Sequence, residues 1–227
     1  AKEAGRLQNI DEIFPVIEMR LRHFGGSAGG LSRVNLHVIF DPELGFTKIQ
    51  SQFVNALQSK VRLAPGIDGK EWSGSITKAS LADLGKCIKG TVPKDQLSRY
   101  KDDLTEGFNN INVDLSDVLS ALSSSYLRGR AIVGIGKTEW ADIKWNDQSI
   151  AAKKDVINSA SLVFTAYEDV ARWKTDVEKL RNDGVTHRLL DCSDAHYFSD
   201  SKNHMRLGAC QTWLNTTPTF AGLVYAL

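Results

Sequence analysis

The sequence predicts an α/β fold: a mainly parallel sheet covered by helices, either open or closed into a barrel. Three observations carry that expectation. Short apolar, β-branched runs alternate with amphipathic helical stretches along most of the chain. Residues that favour turns bound those runs, as they bound strands. Of the 227 residues, 42% are hydrophobic and 24% charged, enough to bury a core and too apolar for a disordered chain.

In chain order, strands are expected at Ile13–Leu21, Val34–Phe40, Ala131–Gly136, Leu162–Thr165 and Arg188–Asp191, with a weaker one at Gln211–Leu214. Gly25–Gly30 reads as the turn between the first two, and Leu63–Ala79 as a loop rich in Gly, Pro and Ser. A helix over Thr47–Lys60 aligns Ile49, Phe53, Val54 and Leu57 on one face. The next, Ser80–Lys89, opens on Ser80 as N-cap with Asp83 three residues later. Asp114–Tyr126 aligns Leu115, Val118, Leu119 and Leu122. Ser149–Ala160 and Glu168–Asn182 follow, the second stopped by Gly184, and Pro218 marks the first turn of a last helix. Phe220, Leu223, Val224 and Leu227 keep helical spacing to the final residue, so the chain is expected to be part of a longer polypeptide.

Charge and cysteine content narrow the function classes. Lys and Arg number 28 against 27 Asp and Glu, a net charge of +1, which excludes whole-surface attraction to nucleic acid or membrane. No apolar run approaches the ~18 residues of a transmembrane helix. Cys87, Cys192 and Cys210 form no CxxC pair, so neither a disulfide framework nor a zinc ribbon is indicated. They read as buried or half-buried thiols of a cytoplasmic protein.

The sharpest chemical signal is the run Asp191, Cys192, Ser193, Asp194, Ala195, His196, which follows the apolar pair Leu189 and Leu190. A buried parallel strand here hands over to two carboxylates and an imidazole, at the end of the sheet where α/β folds build their sites. Asp194 and His196 offer the oxygen and nitrogen donors that Zn²⁺, Mn²⁺ or Fe²⁺ take. Two other strands carry similar anomalies. Glu18 shares a face with Phe14 and Val16, and His37 lies between Leu36 and Val38. Buried polar groups without partners cost about 1–3 kcal/mol each, so three such strands together point to a metal site.

Lys137 and Glu139 leave the end of a fourth strand, suited to holding a phosphate and a metal respectively. Ala131 stands where a phosphate loop of the GxxxxGK[ST] type needs Gly, which excludes that motif. Ser193 lacks the GxSxG elbow of a hydrolase nucleophile. His23, His187 and His204 read as solvated or capping residues, Lys153 and Lys154 as a solvated helix face, and Trp140, Trp145, Trp173 and Trp213 as packing.

In order, Phe14–Leu21, Asn35–Asp41, Gly136–Trp140 with Lys144–Ile150, Leu189–Tyr197 and Thr212–Leu223 resemble the PHP (polymerase and histidinol phosphatase) family of metal-dependent phosphoesterases. They are most similar to the N-terminal PHP domain of TrlF-like, SMC-related ATPases. The resemblance spans nearly the whole chain. It implies a distorted (β/α)7 barrel that lacks its N-terminal strand or strands in this chain. It also implies up to three divalent ions (Mn, Zn, Fe or Mg) at the strand ends. Glu18 matches the family's acidic ligand, His37 the following His, and Asp194 and His196 the closing ligands. The opening HxH pair has no counterpart, and Gly136, Lys137, Thr138 and Glu139 stand where many members place a His, with Glu139 as a substitute ligand.

Asp194, His196 and Lys137 would then be the residues nearest the chemistry of a nuclease or phosphatase. The partners implied are an SMC/ABC-type ATPase on the same polypeptide and nucleic acid, in a cytoplasmic antiviral setting, with homo-oligomerisation compatible. A non-catalytic PHP-like scaffold for the ATPase is the competing reading. A sugar or aldol enzyme on a barrel is more remote.

Overall fold

The computed structural model describes residues 10–27, 30–57, 77–136, 140, 150–166 and 169–227, with the backbone alone for 22–27, 30–33 and 152. Its centre is a five-stranded sheet of β1 (Val16–Ser27), β2 (Gly30–Phe40), β3 (Ala131–Ile135), β4 (Leu162–Thr165) and β5 (Leu189–Asp191), hydrogen-bonded in that order. β1 and β2 pair antiparallel, as do β2 and β3, while β3, β4 and β5 are parallel.

This mixed α/β sheet corrects the expectation of a closed barrel. Ser27 pairs with Gly30, so β1 and β2 form a hairpin, whereas parallel neighbours need a crossover of a dozen or more residues. Among the described residues, β1 and β5 end the strand order and the sheet does not close. The glycine-rich stretch from Gly25 is mostly strand rather than turn. Gln211–Leu214 forms no strand.

Eight α-helices surround the sheet among the described residues. α1 (Gly45–Ile49) passes through one π-helical turn, Gln50–Val54, into α2 (Asn55–Leu57). The last three residues of the expected helix, and most of the expected loop, lie outside the described residues. α3 (Lys78–Gly90) starts one turn earlier than expected. Thr77 is its N-cap: Thr77 Oγ1 accepts the Ser80 N–H at 3.1 Å and Ser80 Oγ accepts the Thr77 N–H at 3.0 Å. Asp83 has no part in that box. α4 (Asp103–Asn109) was not expected, because the residues it buries are Glu106 and Gly107 rather than an apolar stripe.

α5 (Leu115–Leu122) stops four residues short of the expected end at Tyr126, whereas α6 (Ile150–Ser159) and α7 (Val170–Asn182) fall where the periodicity put them. α7 is capped by Asp169 and followed by Gly184 at φ +68°. α8 (Phe220–Ala226) is capped by Thr219.

The period-2 alternation of the strands sorts their side chains onto two unequal faces. Leu36, Val38, Phe40, Val133, Ile135, Val163 and Leu189 point to the main core, which α1, α2, α5, α6 and α7 cover with Ile49, Phe53, Leu57, Leu115, Val118, Ile157 and Leu180. The opposite face holds a smaller cluster of Ile39, Ile132, Leu162 and Phe220, with α8 lying over it. That thinly covered face also carries Glu18 and His37, in register with Val16 and Ile39. Among the described residues, no helix is long and apolar enough to cross a membrane.

Two expectations about side chains fail. Lys153 is buried, and Lys154 Nζ donates to the Asp183 carbonyl at 2.6 Å, closing the end of α7. Cys87 is exposed, whereas Cys192 and Cys210 are half-buried.

Candidate metal and phosphate site

Glu18 and His37 are direct cross-strand partners between β1 and β2, so the antiparallel register places the carboxylate beside the imidazole. On its other side His37 pairs with Gly134 of β3. The absence of a side chain there matters. A Cβ on Gly134 would come within 2.8 Å of Phe164 Cε2, so the glycine leaves the room in which the β4 ring lies. Phe164 therefore reaches across β3 and meets His37 edge to face, with ring centres 5.6 Å apart.

Asp194 approaches from the far end of the sheet. β5 finishes at Asp191, whose N–H donates to Thr212 Oγ1 at 2.7 Å while the same hydroxyl donates back to the Asp191 carbonyl at 2.9 Å. The Cys192 N–H donates to the Thr165 carbonyl at 2.8 Å. That tight turn puts Asp194 at φ +42°, the one non-glycine residue at positive φ among the described residues. Asp tolerates this region better than most residues, at some cost. The His196 ring nitrogen Nε2 stands 3.8 Å from Asp194 Oδ1, with both side chains exposed. An ion pair so open to water contributes little to stability.

Electrostatics joins the two ends. Burial pushes the His37 imidazole below its ordinary pKa of 6.5, and the carboxylates of Glu18 and Asp194 both act on it in the opposite sense. His37 is therefore neutral near pH 7, the form that ligates a metal. Burial raises the Cys192 thiol above its usual range, with Asp194 and Asp191 adding to the effect, so this sulfur stays protonated and unreactive.

Glu18, His37, Asp194 and His196 suit a divalent ion in donor type. Among the described residues, however, no group of three or more His, Cys, Asp or Glu side chains is arranged to hold a metal ion. Lys137 and Glu139 lie outside the described residues. Comparison with protein-family models, curated proteins and solved structures finds no match to this chain.

Sequence reasoning missed a cavity of about 440 Å³ at the end of β5, which none of these four residues lines. The start of α7, the end of β5 and the segment around residues 206–213 line it, including Trp173, Asp191, Arg206 and Trp213. Of the tryptophans read as packing, Trp140 is fully buried and Trp173 half-buried, their indole N–H groups donating to the carbonyls of Phe164 and Leu189 at 3.0 Å each. Trp145 lies outside the described residues. Trp213 contradicts the packing reading: it is 90% exposed.

The His37 shift has a measurable consequence for the metal-free protein. Because the folded pKa lies below the unfolded value of 6.5, the unfolded chain binds more protons as pH falls through that interval. His37 thus contributes stability that is complete above pH 6.5 and is lost as pH drops toward the folded pKa. Thermal melts in chelator between about pH 8 and 5 should show this slope in the wild type and a shallower one in His37→Asn. Identical slopes would mean that His37 is not desolvated.

Proposed function

We propose that the chain is the hydrolytic module of a metal-dependent phosphoesterase of the PHP kind, with its divalent-ion site between Glu18, His37, Asp194 and His196. One observation supports this reading above the others. A desolvated imidazole on β2 feels two carboxylates that come from opposite ends of the sheet, Glu18 on β1 and Asp194 beyond β5. Core packing alone gives no reason to spend a strand position and a strained turn on that convergence.

In this reading Glu18 and Asp194 supply anionic oxygens, and His37 supplies a neutral nitrogen whose ring is steadied by Phe164. His196 extends the donor set from the exposed side of the turn. A bound divalent ion contributes Lewis acidity toward a phosphoryl oxygen and an acidified water. Lys137 and Glu139 are assigned by resemblance to the phosphate and to a further ion. The upstream HxH ligands, the attached SMC-related ATPase, nucleic acid as partner, a cytoplasmic setting and a role in defence against foreign DNA belong to the same proposal. They rest on the family resemblance.

The second reading is a scaffold that has kept the sheet and lost the chemistry. The missing three-donor cluster among the described residues favours it. The two separate in a hydrolysis panel on the polypeptide as it occurs in the cell, with Mn²⁺, phosphomonoester and phosphodiester substrates and oligonucleotides. The expected result is hydrolysis that chelator abolishes and that Asp194→Asn lacks. Equal background in every lane would remove the enzyme and leave the scaffold.

A further inference from the structure

The cavity at the end of β5 carries charges of both signs beside an aromatic surface. Arg206 lines it half-buried, and its guanidinium makes one long contact among the described residues, 3.5 Å to the Asn203 carbonyl, out of a fork of N–H donors. Two carboxylates line the same space, Asp169 and Asp191. Asp191 has partners of its own. Asp169 is exposed and caps α7 with one oxygen, Oδ1, which accepts the Ala171 N–H at 2.8 Å. Its Oδ2 makes no hydrogen bond or ion pair among the described residues. Trp213 stands in the lining at 90% exposure, forgoing one of the largest apolar burials a side chain offers. The volume, about 440 Å³, falls within the ~300–1,000 Å³ of small-ligand sites.

The backbone fixes each of these groups. Asp169 opens α7, whose Trp173 lines the cavity and anchors its indole N–H on the Leu189 carbonyl at 3.0 Å. Arg206 sits between two residues tied to one neighbouring segment: the Met205 carbonyl accepts the His196 N–H and the Leu207 N–H donates to the Tyr197 carbonyl, each at 2.9 Å. Thr212, one residue before Trp213, is bound to Asp191 through both of its hydroxyl bonds. An open oxygen, an open guanidinium and an open indole are therefore presented by anchored chain.

We infer that this cavity binds a free α-amino acid with an aromatic side chain, its ammonium on Asp169 Oδ2, its carboxylate on Arg206 and its ring against Trp213. Charge decides between ligand classes. A phosphate or a nucleotide would set its negative charge against Asp169 as well as toward Arg206, and a simple amine would meet Arg206. A peptide end brings one of the two charges without the other. A free amino acid carries both on one carbon, and its ring gives the indole the apolar partner it lacks. The inference is independent of the phosphoesterase reading, since Glu18, His37, Asp194 and His196 are all absent from the lining.

The test is ligand-observed nuclear magnetic resonance at about pH 6.5, with the chain in chelator and L-phenylalanine as probe. Two analogues each remove one charge: L-phenylalaninamide lacks the carboxylate, and N-acetyl-L-phenylalanine lacks the ammonium. L-Phenylalanine should bind saturably to the wild type, and each analogue about tenfold more weakly or worse, because each leaves a charged group of the cavity unpaired. Trp213→Ala should weaken L-phenylalanine, and Trp213→Phe should recover most of the loss. Asn also caps helices, so Asp169→Asn keeps α7 while removing the charge. In that variant L-phenylalanine and its N-acetyl analogue should bind alike, and in Arg206→Gln L-phenylalanine and its amide should. The analogue comparison uses the wild type and needs no variant to fold. No saturable binding of L-phenylalanine, either analogue binding as tightly as L-phenylalanine, or unchanged affinity in Trp213→Ala would each overturn the inference.

Discussion

Gly107→Ala is expected to destabilise the protein by about 3 kcal/mol, the upper end of what overpacking costs. The reason is a reciprocal glycine contact between α3 and α4. A Cβ on Gly107 would stand 1.8 Å from the Leu81 carbonyl oxygen, and one on Gly85 would stand 1.7 Å from the Asp103 carbonyl oxygen. Both obstacles are backbone, which cannot rotate away as a side chain would. The two helices must separate, taking with them the buried side chains of Leu81, Leu84 and Ile88. They must also strain the bond from Arg20 to the Asn109 carbonyl that ties the end of α4 to β1. The midpoint of thermal unfolding should fall by roughly 6–12 °C. Gly90→Ala is the control, since nothing lies within 4 Å of its added Cβ, and it should leave the midpoint unchanged or slightly raised. Equal behaviour of the two variants would contradict the close helix contact.

Asp194→Gly and Asp194→Ala should lose hydrolysis to the same extent while differing in stability. Both remove the carboxylate, and a lost ligand should cost at least the ~10–100-fold in metal affinity that a lost supporting partner costs. Only glycine suits the backbone at φ +42°, whereas alanine there adds about 1 kcal/mol of steric strain. Melted in chelator, Asp194→Gly should therefore unfold about 2–4 °C above Asp194→Ala. The pair separates the carboxylate from the turn that presents it. Retained activity in the glycine variant would show that the turn matters and the carboxylate does not.

The sequence made the strands legible where composition alone decides them. Leu162–Thr165 is apolar or β-branched at every position, and the structure bounds the strand at those residues. β2 alternates Val34, Leu36, Val38 and Phe40 toward one face, so its buried side could be read before any coordinates. Strand direction could not. Phe40 and Ala131 are neighbours in the sheet but far apart in the chain, and no local pattern states whether such a pair runs parallel or antiparallel. α4 was invisible because a helix that docks through Gly107 shows no apolar period.

The candidate site divides the same way. Glu18 and His37 stood out as polar residues on apolar strands and Asp194 and His196 as polar residues just past one; the structure pairs His37 with Glu18, which is exposed, and Asp194 acts electrostatically on His37. Arg206 and Trp213 gave no such signal. They lie in irregular chain, where no period marks one face as buried, and only the exposure of Trp213 beside a cavity distinguishes it from a core tryptophan. The role of Gly134 was equally hidden, since it depends on the Phe164 ring arriving from another strand.

Glu18, His37, Asp194 and His196 are proposed to serve one divalent ion. Nuclear magnetic resonance of the imidazole signals during a Mn²⁺ titration tests that proposal most directly, because a bound paramagnetic ion broadens the groups around it. His37 and His196 should broaden together at substoichiometric Mn²⁺, while His187, which precedes β5 at the other end of that strand, should stay sharp. In Asp194→Asn both responses should weaken together. Broadening of His196 with His37 unaffected, or no specific broadening at all, would contradict a shared site.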